Sequence, residues 1–217
     1  MTAYDRKKYV LGAVKSILSQ SLPRDLYEVI VVKNYEDKNI DSQLDRWKVL
    51  HIYSKEPGLG AKVYEGLQIA RGEMISLLED DDEFLPGKLE AVYRASRAGV
   101  DYYHNGRLVA NEAGKVLGTE GFGLRARDYS EKSLYLRYLH LFPWYNNSSI
   151  SIARRILSDN SVALKRISTL LDAFIFMGAL LNARFMLDDP RPLTLYRVSS
   201  YQSEANLSSL GSFIIVL

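Results

Sequence analysis

Apolar positions recur along the chain at two spacings, and the switches between them outline its elements. From Lys7 to Gln20, Val10, Leu11, Val14, Ile17 and Leu18 fall at helical intervals, and Pro23 follows soon after the run ends. Tyr27-Glu28-Val29-Ile30-Val31-Val32 is a short β-branched run, the pattern of a strand buried on both faces. Val49 to Tyr53 predicts another strand, Ala61 to Arg71 a helix, and Glu73 to Leu78 a third strand. Pro86 sits where a first-turn proline is tolerated, opening a helix that runs from Gly87 through Ala98. Helix, strand, strand, helix, strand, helix is an alternation that predicts an α/β fold with a parallel sheet flanked by helices.

The second half has a different rhythm. Arg107 to Ala110 and Lys115 to Thr119 flank Asn111-Glu112-Ala113-Gly114, a loop whose length and residues predict an antiparallel hairpin. Beyond it the pattern predicts a helix at Glu131 to Leu139 and a proline, aromatic and asparagine loop from Phe142 to Asn147. An amphipathic helix follows at Ser168 to Asn182, then strands at Arg184 to Leu187 and Leu193 to Val198. No repeat or linker interrupts the 217 residues, so one domain is expected.

Composition narrows the chemistry. A net charge of +2, with dispersed basic residues, gives no footprint for nucleic acid. The chain has no cysteine, which removes disulfides, thiolate catalysis and zinc-thiolate sites. No apolar run reaches the roughly 18 residues that span a bilayer, and the amino terminus lacks a signal pattern, so a cytoplasmic location is expected. The apolar run Phe213-Ile214-Ile215-Val216-Leu217 reads as a packed tail or as the opening of something longer.

Met74-Ile75-Ser76-Leu77-Leu78-Glu79-Asp80-Asp81-Asp82 carries the clearest chemical signal, an apolar strand that ends in four consecutive acids. Adjacent like charges repel, so they stay together either on a solvated turn or around a cation that neutralises them. The setting favours the cation, because ligands of open α/β sheets sit outside the carboxyl ends of strands.

These pieces, in this order, resemble family 2 glycosyltransferases, nucleotide-sugar enzymes of the GT-A fold. The likeness is carried by Thr2-Ala3-Tyr4-Asp5-Arg6 and Ser16-Ile17-Leu18-Ser19-Gln20, by Glu28-Val29-Ile30-Val31-Val32, and by Gly66 with Ala70-Arg71-Gly72-Glu73. It continues through the acids with Leu85-Pro86-Gly87-Lys88-Leu89-Glu90 and ends at Leu193-Thr194-Leu195-Tyr196-Arg197. The resemblance implies a GT-A type, Rossmann-like, mainly parallel sheet with a small antiparallel element. Residues 1–100 would form the nucleotide-sugar half and 101–217 the acceptor half. The family's opening strand has no counterpart before Met1, and the expectation is a native start further upstream.

Anchored on Pro86, the family's Asp-x-Asp falls on Glu79, Asp80 and Asp81. The resemblance therefore implies an inverting transferase in which Glu79 and Asp81 hold Mg²⁺ or Mn²⁺ and Asp80 faces the donor. Asp82 either coordinates or holds the loop. Thr2, Ala3, Tyr4, Asp5, Asn34 and Lys62 match donor-binding positions, although Lys33 and Asn34 stand where a base-binding aspartate is common.

Asp172 matches the family's catalytic base; a first-turn acid stabilising its helix is the other reading. Trp144, Asn146 and Asn147 offer the aromatic faces and amides that suit an acceptor sugar. Arg71 reads as a solvated helix-end cation, and His104 as a satisfied structural histidine. The expected partners are a nucleotide-sugar donor and a saccharide or lipid-linked acceptor. A lipid-linked acceptor would bring peripheral contact at the inner face of the membrane. The alternative is a relative that binds nucleotide or glycan without turnover.

Overall fold

The structure is a computed structural model that describes residues 1–3, 7–126, 129–137 and 145–198. Two sheets form. The smaller is wholly parallel, in the order β1 (Thr2–Ala3), β2 (Ile30–Lys33) and β3 (Leu50–Tyr53). Helices α1 (Lys7–Leu18), α2 (Lys38–Arg46) and α3 (Leu59–Ile69) accompany it. Helix α1 buries Val10, Val14 and Ile17 of its predicted stripe together with Ala13, and leaves Leu11 and Leu18 half-buried. Helix α2 interrupts the two strands that the sequence pattern placed in succession. Asp37 caps it by accepting from the Asn39 and Ile40 N–H groups.

Strand β4 (Met74–Ser76) belongs to the larger sheet, with the path β4-β9-β6-β10-β5, where β5 is Glu83–Phe84, β6 is Tyr102–Ala110, β9 is Ile150–Ala153 and β10 is Met186–Arg197. The predicted hairpin forms between β6 and β7 (Val116–Glu120), and β8 (Leu124–Ala126) pairs with β10. Among the described residues the β6–β10 pairing is parallel and the other pairings of this sheet are antiparallel, the antiparallel element of the α/β fold. The strands expected at Arg184 to Leu187 and Leu193 to Val198 are one long strand. Its register shifts between Asp189 and Thr194 let it absorb Pro190 and Pro192 without breaking.

Thr2 joins the sheets. It pairs with Val32 on one side, while on the other its N–H donates to the Leu78 carbonyl at 3.0 Å and it bridges Glu79 in parallel. Thr2 and Ala3 thus link the two sheets as a two-residue strand. The Met1 amino group donates to the Ile30 carbonyl at 2.8 Å, and burial pushes its pKa down to about 5. Beside it, between β2 and β4, an apolar cavity of about 370 Å³ is lined by Ile30, Val32, Leu77, Leu78, Phe84 and Leu89. None of the acidic side chains of residues 79–82 lines it.

The core of the larger sheet packs Tyr102, Ile150 and Ile152 against α6 (Arg154–Asp159) and α8 (Leu171–Asn182). Phe176 meets Tyr102 and Tyr135 edge-on, with centroids 5.9 and 5.8 Å apart. Tyr135 comes from α5 (Tyr129–Arg137). This core fixes the start of α8 against the carboxyl end of β4, and that juncture is where the acids lie.

Candidate active site

The chain leaves β4 at Ser76, and Leu77 and Leu78 bury their side chains before the acids begin. Glu79, Asp81 and Asp82 then turn one carboxylate oxygen each toward a common point, all within 4.8 Å of one another. Asp80, Asp81 and Asp82 are buried. A solvated acidic turn would expose them, so the bland reading of this run does not describe the structure. Burial, and the neighbouring Asp81 charge, push the Asp82 carboxyl up to about 7.

Asp82 is held from two sides. Its Oδ2 accepts from Ser148 Oγ at 2.6 Å and from Asn146 Nδ2 at 3.1 Å, while Oδ1 accepts the Arg197 N–H at 2.9 Å. The Arg197 guanidinium itself goes elsewhere, to the Asp81 carbonyl and to Glu83 Oε1, both at 2.7 Å. Glu79 is held by the same turn: Asn147 Nδ2 donates to its Oε1 at 3.1 Å, and its own N–H donates to Ser148 Oγ at 3.0 Å.

Residues 147–149 form a single 3-10 turn ahead of β9. Asn146 opens it with φ 73°, and its side-chain Oδ1 accepts the Ser149 N–H at 3.0 Å. That left-handed backbone is uncommon for a residue with a Cβ, although asparagine tolerates it better than most. The Asn146 N–H donates to Asp172 Oδ2 at 3.2 Å. One residue thus touches both Asp82 and Asp172.

Asp172 lies in the first turn of α8 and is nine-tenths buried. Its Oδ1 accepts the Ala173 N–H at 2.9 Å. Burial raises its pKa above the ordinary carboxylate value despite these bonds. A buried carboxylate of raised pKa, oriented by backbone donors, is a stronger base than a solvated one.

The other predicted residues divide into three groups. Thr2 and Ala3 occupy β1 beside Glu79, and Asn34 follows β2 with its Oδ1 buried and, among the described residues, without a hydrogen-bond partner. Lys62 is fully buried, donating to the Glu56 and Pro57 carbonyls at 2.7 and 3.2 Å, so its ammonium braces the loop before α3. In that loop's helix Gly60 is required for close packing, since a Cβ there would stand 2.2 Å from the Leu164 carbonyl. Tyr4, Asp5 and Trp144 lie outside the described residues.

Asn146 and Asn147, expected at the acceptor, each donate from the side-chain amide to one of the acids. His104 is satisfied at both nitrogens, by Asp188 at 3.2 Å and the Tyr145 carbonyl at 3.0 Å, in keeping with its structural reading. The Arg71 side chain is 90% exposed, as a solvated cation would be. Sequence reasoning missed Ser148 altogether; the one available signal was four polar residues, Asn146 to Ser149, set immediately before an apolar strand.

The donor set suits a hard divalent cation, since it offers three convergent oxygens and no nitrogen or sulfur. Asp82 Oδ2 already takes two hydrogen bonds, whereas Oδ1 takes one and keeps a lone pair for a ligand.

Comparison with known proteins agrees with this architecture. TarS of S. aureus, in a crystal structure of residues 1–349, superposes with a TM-score of 0.67 over 96% of this chain and 63% of that one, at 15% identity. TarS has also been solved in complex with UDP and with UDP-GlcNAc, each at a TM-score of 0.67. The fold is therefore that of a GT-A glycosyltransferase.

The sequence profile described as glycosyl transferase family 2 matches residues 1–151, and the chain belongs to that family. One relative is the GalNAc(5)-diNAcBac-PP-undecaprenol beta-1,3-glucosyltransferase of Campylobacter jejuni subsp. jejuni serotype O:2, 26% identical over 61% of this chain and 45% of its own. Another is the putative glycosyltransferase EpsH of Bacillus subtilis, 28% identical over 44% of this chain and 29% of its own. The chain spans less than half the length of these curated relatives.

Proposed function

We propose that this chain moves a sugar from a nucleoside diphosphate sugar to a saccharide or lipid-linked acceptor, with a divalent cation and with inversion at the anomeric carbon. The observation that carries this reading is the meeting of Glu79, Asp81 and Asp82 within 4.8 Å, one residue's reach from the buried Asp172. Support comes from the relatives: TarS structures hold UDP and UDP-GlcNAc, and the Campylobacter enzyme's name specifies an undecaprenol-linked acceptor.

Mg²⁺ or Mn²⁺ held by Glu79, Asp81 and Asp82 would supply positive charge against the leaving diphosphate. Asp172 takes the proton from the acceptor hydroxyl as that oxygen attacks the anomeric carbon and the bond to the diphosphate breaks. The Asn146 and Ala173 N–H groups hold one oxygen each, which fixes the orientation of the carboxylate. Asn34, with its unpartnered Oδ1 just past β2, takes a donor group of the nucleoside in place of a carboxylate. Asp80 and the Thr2–Ala3 strand edge complete the donor side, and Asn147 stays at the acceptor border. Among the described residues no helix is long and apolar enough to cross a membrane, and contact with a lipid-linked acceptor would be peripheral.

Transfer from UDP-, GDP-, dTDP- and CDP-sugars to an undecaprenyl-diphosphate saccharide, with Mn²⁺ and then with chelator, tests the proposal. Turnover with one donor, lost on chelation and in Asp172→Asn, is the expected result. A binder without turnover would hold the nucleotide and release no product with any donor.

A further inference from the structure

We infer that Asn146 and Ser148 are positioning residues, which aim the acidic corner at its cation and fix the distance between that corner and Asp172. The inference rests on the metal-dependent reading above and assigns work to a turn that neither motif nor family match singles out.

The geometry of residues 145–149 carries it. Three successive side chains of the turn are committed to the acids: Asn146 and Ser148 to Asp82, and Asn147 to Glu79. Ser148 Oγ both donates to Asp82 and accepts from the Glu79 N–H, so a single hydroxyl ties the Asp82 carboxylate to the backbone that carries Glu79. It is wholly buried, as a group fixed for orientation should be.

The turn is itself locked in place. Lys88 Nζ donates to the Ser149 carbonyl at 3.1 Å, Thr194 Oγ1 to the Ser148 carbonyl at 3.1 Å, and His104 meets the Tyr145 carbonyl at 3.0 Å. Those three anchors come from α4 (Lys88–Arg97), β10 and β6, which are different elements of the larger sheet and its cover. The Asn146 N–H then reaches Asp172. A strained, over-determined turn of this kind belongs where placement matters more than stability. Hydrogen bonds from a second layer orient carboxylate ligands, and their loss typically weakens metal binding by about 10- to 100-fold.

The test measures Mn²⁺ affinity directly, by electron paramagnetic resonance of free Mn²⁺. It is run in the presence of whichever of UDP, GDP, dTDP and CDP most raises the melting point of the unaltered protein. Ser148→Ala removes the shared hydroxyl. Asn146→Gly removes the amide but accepts the positive φ and keeps the N–H to Asp172. Each is expected to raise the Mn²⁺ dissociation constant about tenfold. In Asn146→Gly the loss should appear in the Mn²⁺ dissociation constant, while the N–H to Asp172 is kept. Ser148→Ala placed on an Asp82→Ala background should add less than about twofold, since the hydrogen bond to Asp82 is already gone.

Dissociation constants within about twofold of the unaltered protein in both variants overturn the inference. So does a Ser148→Ala effect of equal size with and without Asp82, which would mark a merely structural role. Failure of the unaltered protein to retain Mn²⁺ with any of the four nucleotides defeats the metal-dependent reading itself, and this inference with it.

Discussion

Two buried charges, one at each sheet, are held in opposite ways. At the carboxyl end of β2, the Lys33 ammonium meets the Asp41 carboxylate at 2.9 Å, so charge answers charge. In the larger sheet, Asp82 is held by a hydroxyl, an amide and a backbone N–H, and Lys88 Nζ rests on the Asn105 amide oxygen and the Ser149 carbonyl. Dipoles orient a charge without cancelling it, whereas an ion pair is complete in itself. The first arrangement is structural; the second leaves carboxylates aligned for a ligand that brings its own positive charge.

The largest effect that would break this contrast is catalytic. Asp172→Asn and Asp81→Asn should each lower kcat/KM at least about 100-fold, roughly 3 kcal/mol of transition-state stabilisation. Only Asp81→Asn should also raise the Mn²⁺ concentration needed for half-maximal rate. Steady-state kinetics over a Mn²⁺ series separate the two roles, and identical Mn²⁺ dependence would put both residues in one role.

Next in size is a pH effect on stability. Burial lowers Lys88 to about 7 from its ordinary 10.5, so between those values the unfolded chain binds the extra proton. Stability contributed by this site is therefore lowest below about pH 7 and rises as pH climbs toward 10.5, by on the order of a few kcal/mol. Urea unfolding at pH 6.5, 8 and 9.5 should show the rise, and Lys88→Met should flatten it. A smaller loss, about 1–2 kcal/mol, is expected for Asp41→Ala, which strands Lys33; it sits below the usual range for a broken buried pair because the Asp41 side chain is 26% exposed. Equal losses from Asp41→Ala and Ser148→Ala, with Mn²⁺ binding untouched in both, would erase the distinction between the sheets. The smallest effect is Asn34→Ala, a rise of about two- to fivefold in donor KM with kcat unchanged, as a single lost neutral hydrogen bond gives.

The sequence made legible whatever buries a long apolar stripe. Helices α1, α3 and α8 and strand β2 stand out because each buries a run of apolar residues. Helix α2 did not, since its nine residues bury only Ile40 and Leu44. Strand β9 hid because Ser151, wholly buried, breaks its apolar run; in the fold its Oγ lies 2.8 Å from Ser76 Oγ across the sheet.

The acids were legible for the same local reason, four in a row at a strand's end. Their holders were not. Ser148 meets Asp82 across 66 positions, and Asn-Asn-Ser-Ser has the composition of any surface turn until the fold buries it. Asn146 and Asn147 drew attention as sugar-binding amides, and the donors those amides carry also serve carboxylates, which the fold brings within reach.

The most direct test of the acidic corner is a melting-point series on the unaltered protein and Asp81→Ala, with UDP, GDP, dTDP or CDP alone, with Mn²⁺ alone, and with both together. A ligand that binds only the folded form raises the melting point. One nucleotide with Mn²⁺ should raise it by more than the two separate shifts combined, and Asp81→Ala should lose that excess. No shift with any pair, or an excess that survives in Asp81→Ala, would contradict a cation held at Glu79, Asp81 and Asp82.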